Sequence, residues 1–133
     1  MIREDFLMRQ IEIVLRTLAM LILQKETTEY VIVEKMVFTE TDMLHSALLK
    51  LIDAGKIDEA ENLLFEKIEE ELEENYEENY NDNDNRRYLE VAIDFYSRLN
   101  YFSSSFLDNC GFEREEIDEG IRAVAELYGI NII

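Results

Sequence analysis

The chain contains no proline and only four glycines among its 133 residues. Sheet-rich folds use both residue types in their many turns, whereas a few long helices need few of them. This scarcity predicts an all-α fold. A hydrophobic fraction of 47% is enough for a folded core despite 33% charged residues. At this length we predict a single domain over residues 1–133.

The charge balance narrows the set of partners. Thirty-one acidic residues against thirteen basic ones give a formal net charge of −18. Nucleic acids and anionic membrane surfaces are bound through Lys and Arg, so we expect neither as a partner. Cys110 is the only cysteine, which excludes an internal disulfide, and the first residues lack the character of a signal peptide. These features predict a cytoplasmic protein.

The first helix is predicted from about Ile2 to about Gln24, because apolar residues recur there at helical spacing. Ile13, Met20 and Leu23 lie away from that stripe. A helix that is apolar on more than one side is either buried centrally or shared with a second subunit. We favour burial for this helix, with a dimer interface as the close alternative. A homo-oligomer, most simply a dimer, is the state that we expect of the chain.

A helical hairpin is the clearest local signal. Thr39 or Thr41 can cap the second helix, and Gly55 supplies a left-handed stop after it. A third helix then opens at Ile57 with acids in its first turn, where the helix dipole favours them. The segment Thr27–Phe38 before this hairpin is ambiguous, and we predict an irregular or short helical connector.

The second half of the chain predicts a further hairpin after an acidic loop at about 75–86. A central helix follows from Tyr88, and Ser103–Ser105 marks a break before a short helix. The last helix is predicted over about Glu113 to Tyr128, with Gly129 as its cap and Gly120 indicating close packing. The five to six helices would pack as a bundle or as a tetratricopeptide-like stack, although no 34-residue repeat is present.

The residues that could carry chemistry are few. His45 is the only histidine, and Asp42 precedes it by three residues, but a di-iron site needs that motif twice. We therefore interpret His45 as a surface residue and Cys110 as a structural thiol, since acids flank its turn. The stretch 79–85 (NYNDNDN) fails the calcium-loop pattern in both registers. No metal ion, cofactor or catalytic set is predicted.

Acidic residues are concentrated in one block. Between Ile57 and Asp84 there are thirteen acids and one base, Lys67, a net of −12. The simpler interpretation is a solvated helix face, and the functional one is a docking surface for a basic protein or a mimic of nucleic acid. The candidate partner-binding face comprises Glu66, Glu69, Glu70, Glu73, Glu74, Glu77 and Glu78.

Several segments together resemble a family of short helical proteins from Gram-positive bacteria. They are residues 1–6 (MIREDF), 9–12 (RQIE), 55–66 (GKIDEAENLLFE), 92–100 (AIDFYSRLN), 112–120 (FEREEIDEG) and 125–130 (AELYGI). The family is functionally uncharacterised, so the resemblance implies a helical fold and no catalytic residues. Its members often carry Ser where Glu113 stands, which would be a stronger helix cap.

The sequence thus predicts a non-catalytic, cytoplasmic helical module that binds other proteins. A ligand binder or hydrolase lined by Glu and Tyr, and an acidic mimic of nucleic acid, are the alternatives.

Overall fold

The computed structural model describes residues 2–32, 39–77 and 82–131, and side chains within 4–32, 39–74 and 86–131. The described residues form six helices and no strand, which confirms the all-α prediction. The helices are α1 (Ile2–Ile22), α2 (Glu40–Asp53), α3 (Ile57–Glu77), α4 (Asp82–Tyr101), α5 (Ser104–Asn109) and α6 (Arg114–Leu127).

Helix α4 is at the centre of the bundle. It packs against α1, α2, α3 and α6, and every residue from Val91 to Tyr96 is buried. An amphipathic helix with one covered face would bury only about half of such a run. The continuous burial confirms the prediction that this helix is central, and it also places one charged side chain, Asp94, inside the protein.

The α2–α3 hairpin forms as its turn residues predict. Thr39 caps α2, and its hydroxyl accepts a hydrogen bond from the Asp42 amide while the Asp42 carboxylate accepts one from the Thr39 amide. After the helix, Gly55 adopts a φ of +75°. The Lys56 amide then donates to the Leu51 carbonyl at 2.8 Å, which is the bond of a Schellman motif.

Helix α1 corrects one prediction. Ile11, Leu15 and Leu18 face the core, but Ile13 and Met20 are 63% and 60% exposed. Central burial is therefore the wrong explanation for the apolar residues on the outer side of α1. They lie on a face that no other described part of the chain covers.

Two connecting segments also differ from or refine the predictions. Most of the loop predicted at 75–86 is helical, since α3 continues to Glu77 and α4 already begins at Asp82. Good helix formers such as Glu extend α3 beyond the last buried apolar position. Residues 27–32 have no regular secondary structure, as expected for a connector, and residues 33–38 lie outside the described part.

A buried arginine joins the two ends of the chain. Arg114, at the start of α6, is 4% exposed. Its guanidinium donates to the carbonyl oxygens of Asn100 at 2.8 Å and Phe102 at 2.6 Å, and it pairs with Glu4 at 3.0 Å. Because a buried cation requires such partners, this contact fixes α1 and α6 against the end of α4.

Candidate functional site

The structure brings together a buried polar network that the sequence did not predict. It joins Tyr30 of the connector, Thr41, Asp42 and His45 of α2, and Arg87, Asp94 and Arg98 of α4; we call it the Tyr30–Asp94 network. Arg98 pairs with Asp94, and Arg87 pairs with Asp42 at 3.5 Å and also with Glu90 at 2.5 Å. Among the described side chains no buried nitrogen or oxygen atom is left without a hydrogen bond.

Asp94 is the acceptor at one end of this network. Its carboxylate lies 2.8 Å from His45 Nε2, 2.6 Å from Arg98 Nε and 2.9 Å from the Tyr30 amide nitrogen. Burial acts to raise the pKa of Asp94, but these three hydrogen bonds outweigh it and hold the pKa below its usual value. The side chain is therefore an ionised group inside the bundle.

Tyr30 forms the other end. Its hydroxyl donates to Asp42 Oδ1 at 2.7 Å and lies 2.7 Å from Thr41 Oγ1. The His45 ring stacks on the Tyr30 ring at 4.7 Å, and the Arg87 guanidinium lies 4.3 Å from the same ring centroid. Burial, with a contribution from the Asp42 carboxylate, raises the pKa of Tyr30 to about 12. The hydroxyl thus stays protonated and works as a fixed donor.

His45 does not lie on the surface as the sequence suggested. Its side chain is 14% exposed, and its partner is Asp94 on another helix rather than the nearby Asp42. Asp42 is instead occupied by the cap of α2 and by Tyr30. Spacing in the sequence identifies only the neighbours of His45 on its own helix, whereas its hydrogen-bond partner, Asp94, lies on α4.

A cleft of about 580 Å³ opens beside this network, between α1, the connector and α4. Asp94, Ser97 and Arg98 of α4 reach it, and Arg9 and Arg16 border it on the α1 side. Arg16 is paired with Glu12 at 2.9 Å, and Arg98 with Asp94. The lining of the cleft therefore carries charges of both signs beside apolar side chains such as Met8 and Leu15.

A second depression, of about 410 Å³, lies between α2 and α3. We call it the α2–α3 groove. Its lining is apolar where the two helices meet and acidic at the rim, and Lys67 is the one base among the described residues that line it. The apolar members are Met43, Leu44, Ala47, Leu63 and Tyr88, and the acidic ones are Glu40, Glu70, Glu71 and Glu74. Met43 is 52% exposed within it.

The predicted acidic face divides in two in the structure. Glu66, Glu69 and Glu73 are exposed on the solvent side of α3. Glu70 and Glu74 are exposed as well, but they also line the α2–α3 groove. Of the other two residues, the Glu77 side chain and all of Glu78 lie outside the described part, as do residues 79–81 of the asparagine-rich stretch.

A third polar contact lies between α3, α4 and α6. Tyr96 is buried, and its hydroxyl donates to Glu61 Oε2 at 2.7 Å. Burial raises the pKa of Glu61, and the nearby carboxylates of Glu116 and Asp58 act in the same direction. Gly120 faces this pair and leaves no room for a side chain, which confirms the close packing that its position predicted.

The structure also shows the surroundings of Cys110 and tests the described residues for a metal site. Cys110 ends α5 and packs at the edge of the core beside Gly55. Among the described residues no group of three or more His, Cys, Asp or Glu side chains is arranged to hold a metal ion. The described helices include none with both the length and the apolar content of a membrane span.

The fold and these surfaces define a small, acidic six-helix bundle with a buried ionic network and an acid-rimmed groove. The chain belongs to DUF6483, a family of unknown function, whose sequence pattern matches residues 1–129. The resemblance to an uncharacterised helical family is thereby confirmed. No curated protein and no solved structure is detectably similar to the chain.

Proposed function

We propose that the protein is a cytoplasmic interaction module that binds a basic amphipathic segment of another protein in the α2–α3 groove. The observation that carries this proposal is the combination of an apolar floor and an acidic rim in one depression. Binding rather than catalysis is proposed, because the ionisable side chains of the Tyr30–Asp94 network are already engaged with one another.

The residues that line the α2–α3 groove indicate which kind of segment it would bind. A groove between two antiparallel helices accepts the apolar stripe of a third helix, with anchors at helical spacing. Met43, Ala47 and Leu63 offer the apolar contact. The carboxylates around them favour Lys and Arg beside the anchors and repel acidic segments. This proposal gives a role to the acidic block without requiring that all of it contact the partner.

Matched charge reversals test the groove. The probe is a fluorescent helical peptide with Leu on one face and Lys on both flanks, and binding is followed by anisotropy. Glu70→Lys with Glu74→Lys should weaken binding by at least about 10-fold, because two rim carboxylates become repulsive. Glu66→Lys with Glu69→Lys makes the same change in net charge outside the groove and should alter binding by less than about 3-fold. Equal losses in both variants would mean diffuse attraction to a negative protein, and the groove would be rejected.

The natural partner can be sought with the same pair of variants. Each is used as bait in affinity purification from the native cell, with elution by a salt ramp and mass spectrometry of the eluate. A groove partner should be retained by the Glu66/Glu69 variant and lost by the Glu70/Glu74 variant. A protein that leaves both columns at the same salt concentration is a nonspecific polycation.

A second candidate function is the binding of a small polar molecule in the cleft beside Asp94. It is favoured by the volume of about 580 Å³ and by a lining that carries both carboxylates and guanidinium groups. Native mass spectrometry of the freshly purified protein tests it. A bound mass that is released by Ser97→Trp, which would fill the cleft, supports the candidate, and a ligand-free spectrum counts against it.

A further inference from the structure

An apolar stripe runs along the outer face of α1. Phe6, Ile13 and Met20 are 61%, 63% and 60% exposed, and Leu21 beside them is 70% exposed. Large apolar side chains are normally scattered singly on a surface, but these four lie on one helix and on one side of it. The buried side of the same helix carries Ile11, Leu15 and Leu18.

The spacing of the stripe is seven residues. Phe6, Ile13 and Met20 are each separated by one heptad, and a straight helix rotates such positions by only about 20° per repeat. They therefore form a narrow seam rather than a broad patch. Apolar side chains one heptad apart lie on the same side of a helix, where a second helix can pack against them.

Charge indicates which helix covers the seam. Helix α1 contains three acidic and three basic residues, whereas α3 contains ten acidic residues and one basic one. Between the seam residues, the positions three and four residues away from them are Arg9, Gln10, Arg16 and Thr17, none of them acidic, and the charge of the nearby Glu12 is paired with Arg16 at 2.9 Å. Two copies of a chain with a net charge of −18 repel each other. This face lets them meet without apposing carboxylates, while a basic partner would be drawn to α3 instead.

We propose that the outer face of α1 binds the same face of a second copy of this chain. Ile13 lies midway between Phe6 and Met20, so the seam is self-complementary about a twofold axis through Ile13, whichever way the two helices run. The four side chains would form the apolar centre of such an interface, which buries roughly 800 Å² per partner at standard size. The contact is separate from the α2–α3 groove.

The test compares two aspartate substitutions by sedimentation velocity over a concentration series. Wild-type protein should dimerise in the micromolar range. Ile13→Asp should weaken dimerisation by at least about 100-fold, because two unpaired carboxylates would be buried together at the axis. Met43→Asp changes a similarly exposed apolar residue, but in the α2–α3 groove, and should leave the dimer intact while it weakens peptide binding.

Salt dependence and cross-linking give independent readouts. Dimerisation should strengthen as NaCl is raised, because salt screens the repulsion between copies, whereas binding of a basic peptide should weaken. Ile13→Cys should form a disulfide-linked dimer under mild oxidation, and Met43→Cys, which retains the same Cys110, should not. A wild-type protein that stays monomeric at about 100 µM overturns the proposal. So does an Ile13→Asp variant that dimerises like wild type while circular dichroism shows the normal fold.

Discussion

Replacing Gly120 with alanine probes the tightest packing in the bundle. A Cβ atom at this position would lie 2.4 Å from the Tyr96 hydroxyl and 2.6 Å from Glu61 Oε2. These two atoms are hydrogen-bonded to each other, and the Tyr96 ring is buried between α3, α4 and α6. The methyl group can be accommodated only if the Tyr96 ring moves or the hydrogen bond breaks.

One favourable and two unfavourable effects determine how this substitution changes the free energy of unfolding. Alanine is a better helix former than glycine by about 1 kcal/mol, which favours the substitution at an exposed site. Overpacking a core position costs about 1–3 kcal/mol, and a buried hydroxyl that loses its acceptor costs about 1–3 kcal/mol more. Gly120→Ala should therefore lower the free energy of unfolding by about 1–5 kcal/mol, with a midpoint of about 3 kcal/mol.

Urea unfolding followed by circular dichroism measures this loss, and a double-mutant cycle identifies its cause. Tyr96→Phe removes the nearest of the three atoms that the new methyl group would meet, whereas the ring carbon Cζ and Glu61 Oε2, both at 2.6 Å, remain. In that background Gly120→Ala should cost less than in wild type, because no hydroxyl group can then lose its acceptor, and the coupling energy should be at least about 1 kcal/mol. If Gly120→Ala stabilises the wild-type protein by about 1 kcal/mol, as an exposed helix position would, the packing argument is refuted.

Five other predictions can be checked by unfolding experiments. Asp94→Ala should lower the free energy of unfolding by about 3–5 kcal/mol, because it leaves buried hydrogen-bond donors without an acceptor. Arg98→Ala removes a half-exposed partner of Asp94 and should lower it by less than about 1 kcal/mol. The pKa of Asp94 is held below its value in the unfolded chain. The ionised Asp94 side chain therefore stabilises the fold fully above about pH 4, and this stabilisation is lost as the pH falls further. The free energy of unfolding should then decline less steeply below about pH 4 in Asp94→Asn than in wild type. The pKa of Glu61 is raised, so the pH dependence has the opposite sign: the stabilisation by the protonated Glu61 side chain is lost as the pH rises. The free energy of unfolding of Glu61→Gln relative to that of wild type should therefore increase from about pH 4 to about pH 7. Moderate NaCl should raise the melting temperature because the acids of α3 repel one another, and a fall would mean that attractive pairs dominate. Glu113→Ser should raise stability by about 0.5–1 kcal/mol, since serine is the better helix cap, and an unchanged midpoint would show that the bond from the Glu113 amide to Glu116 already suffices.

The helices could be predicted because their signals are local. The hairpin turn at Gly55 and the cap at Gly129 depend on a left-handed residue and on bonds within five positions. The helical period of the apolar residues marks the buried face of each segment. The prediction of a loop at 75–86 was wrong for residues 75–77 and 82–86, which are helical, because polarity indicates solvent exposure rather than loss of helix, and Glu-rich segments satisfy both conditions.

The Tyr30–Asp94 network could not be predicted, because all of its hydrogen bonds except those between Arg98 and Asp94 join residues that are 11 to 64 positions apart. His45 has a carboxylate three residues away on its own helix, and the sequence offers no reason to prefer Asp94. One signal was available: Asp94 interrupts the apolar run from Val91 to Tyr96 in a helix predicted to be central. A charge in such a position needs a buried partner.

The sequence by itself determined the helical class, the turn at Gly55, the packing of Gly120 and the distribution of charge along the chain, because each depends on residue type or on neighbours within a few positions. The tertiary structure decided which carboxylates are buried and which are exposed. It also separated Glu70 and Glu74 from the other acids of α3, and it left Ile13 and Met20 uncovered on α1. These outcomes depend on which helices pack together, and helix packing joins residues that are far apart in the sequence.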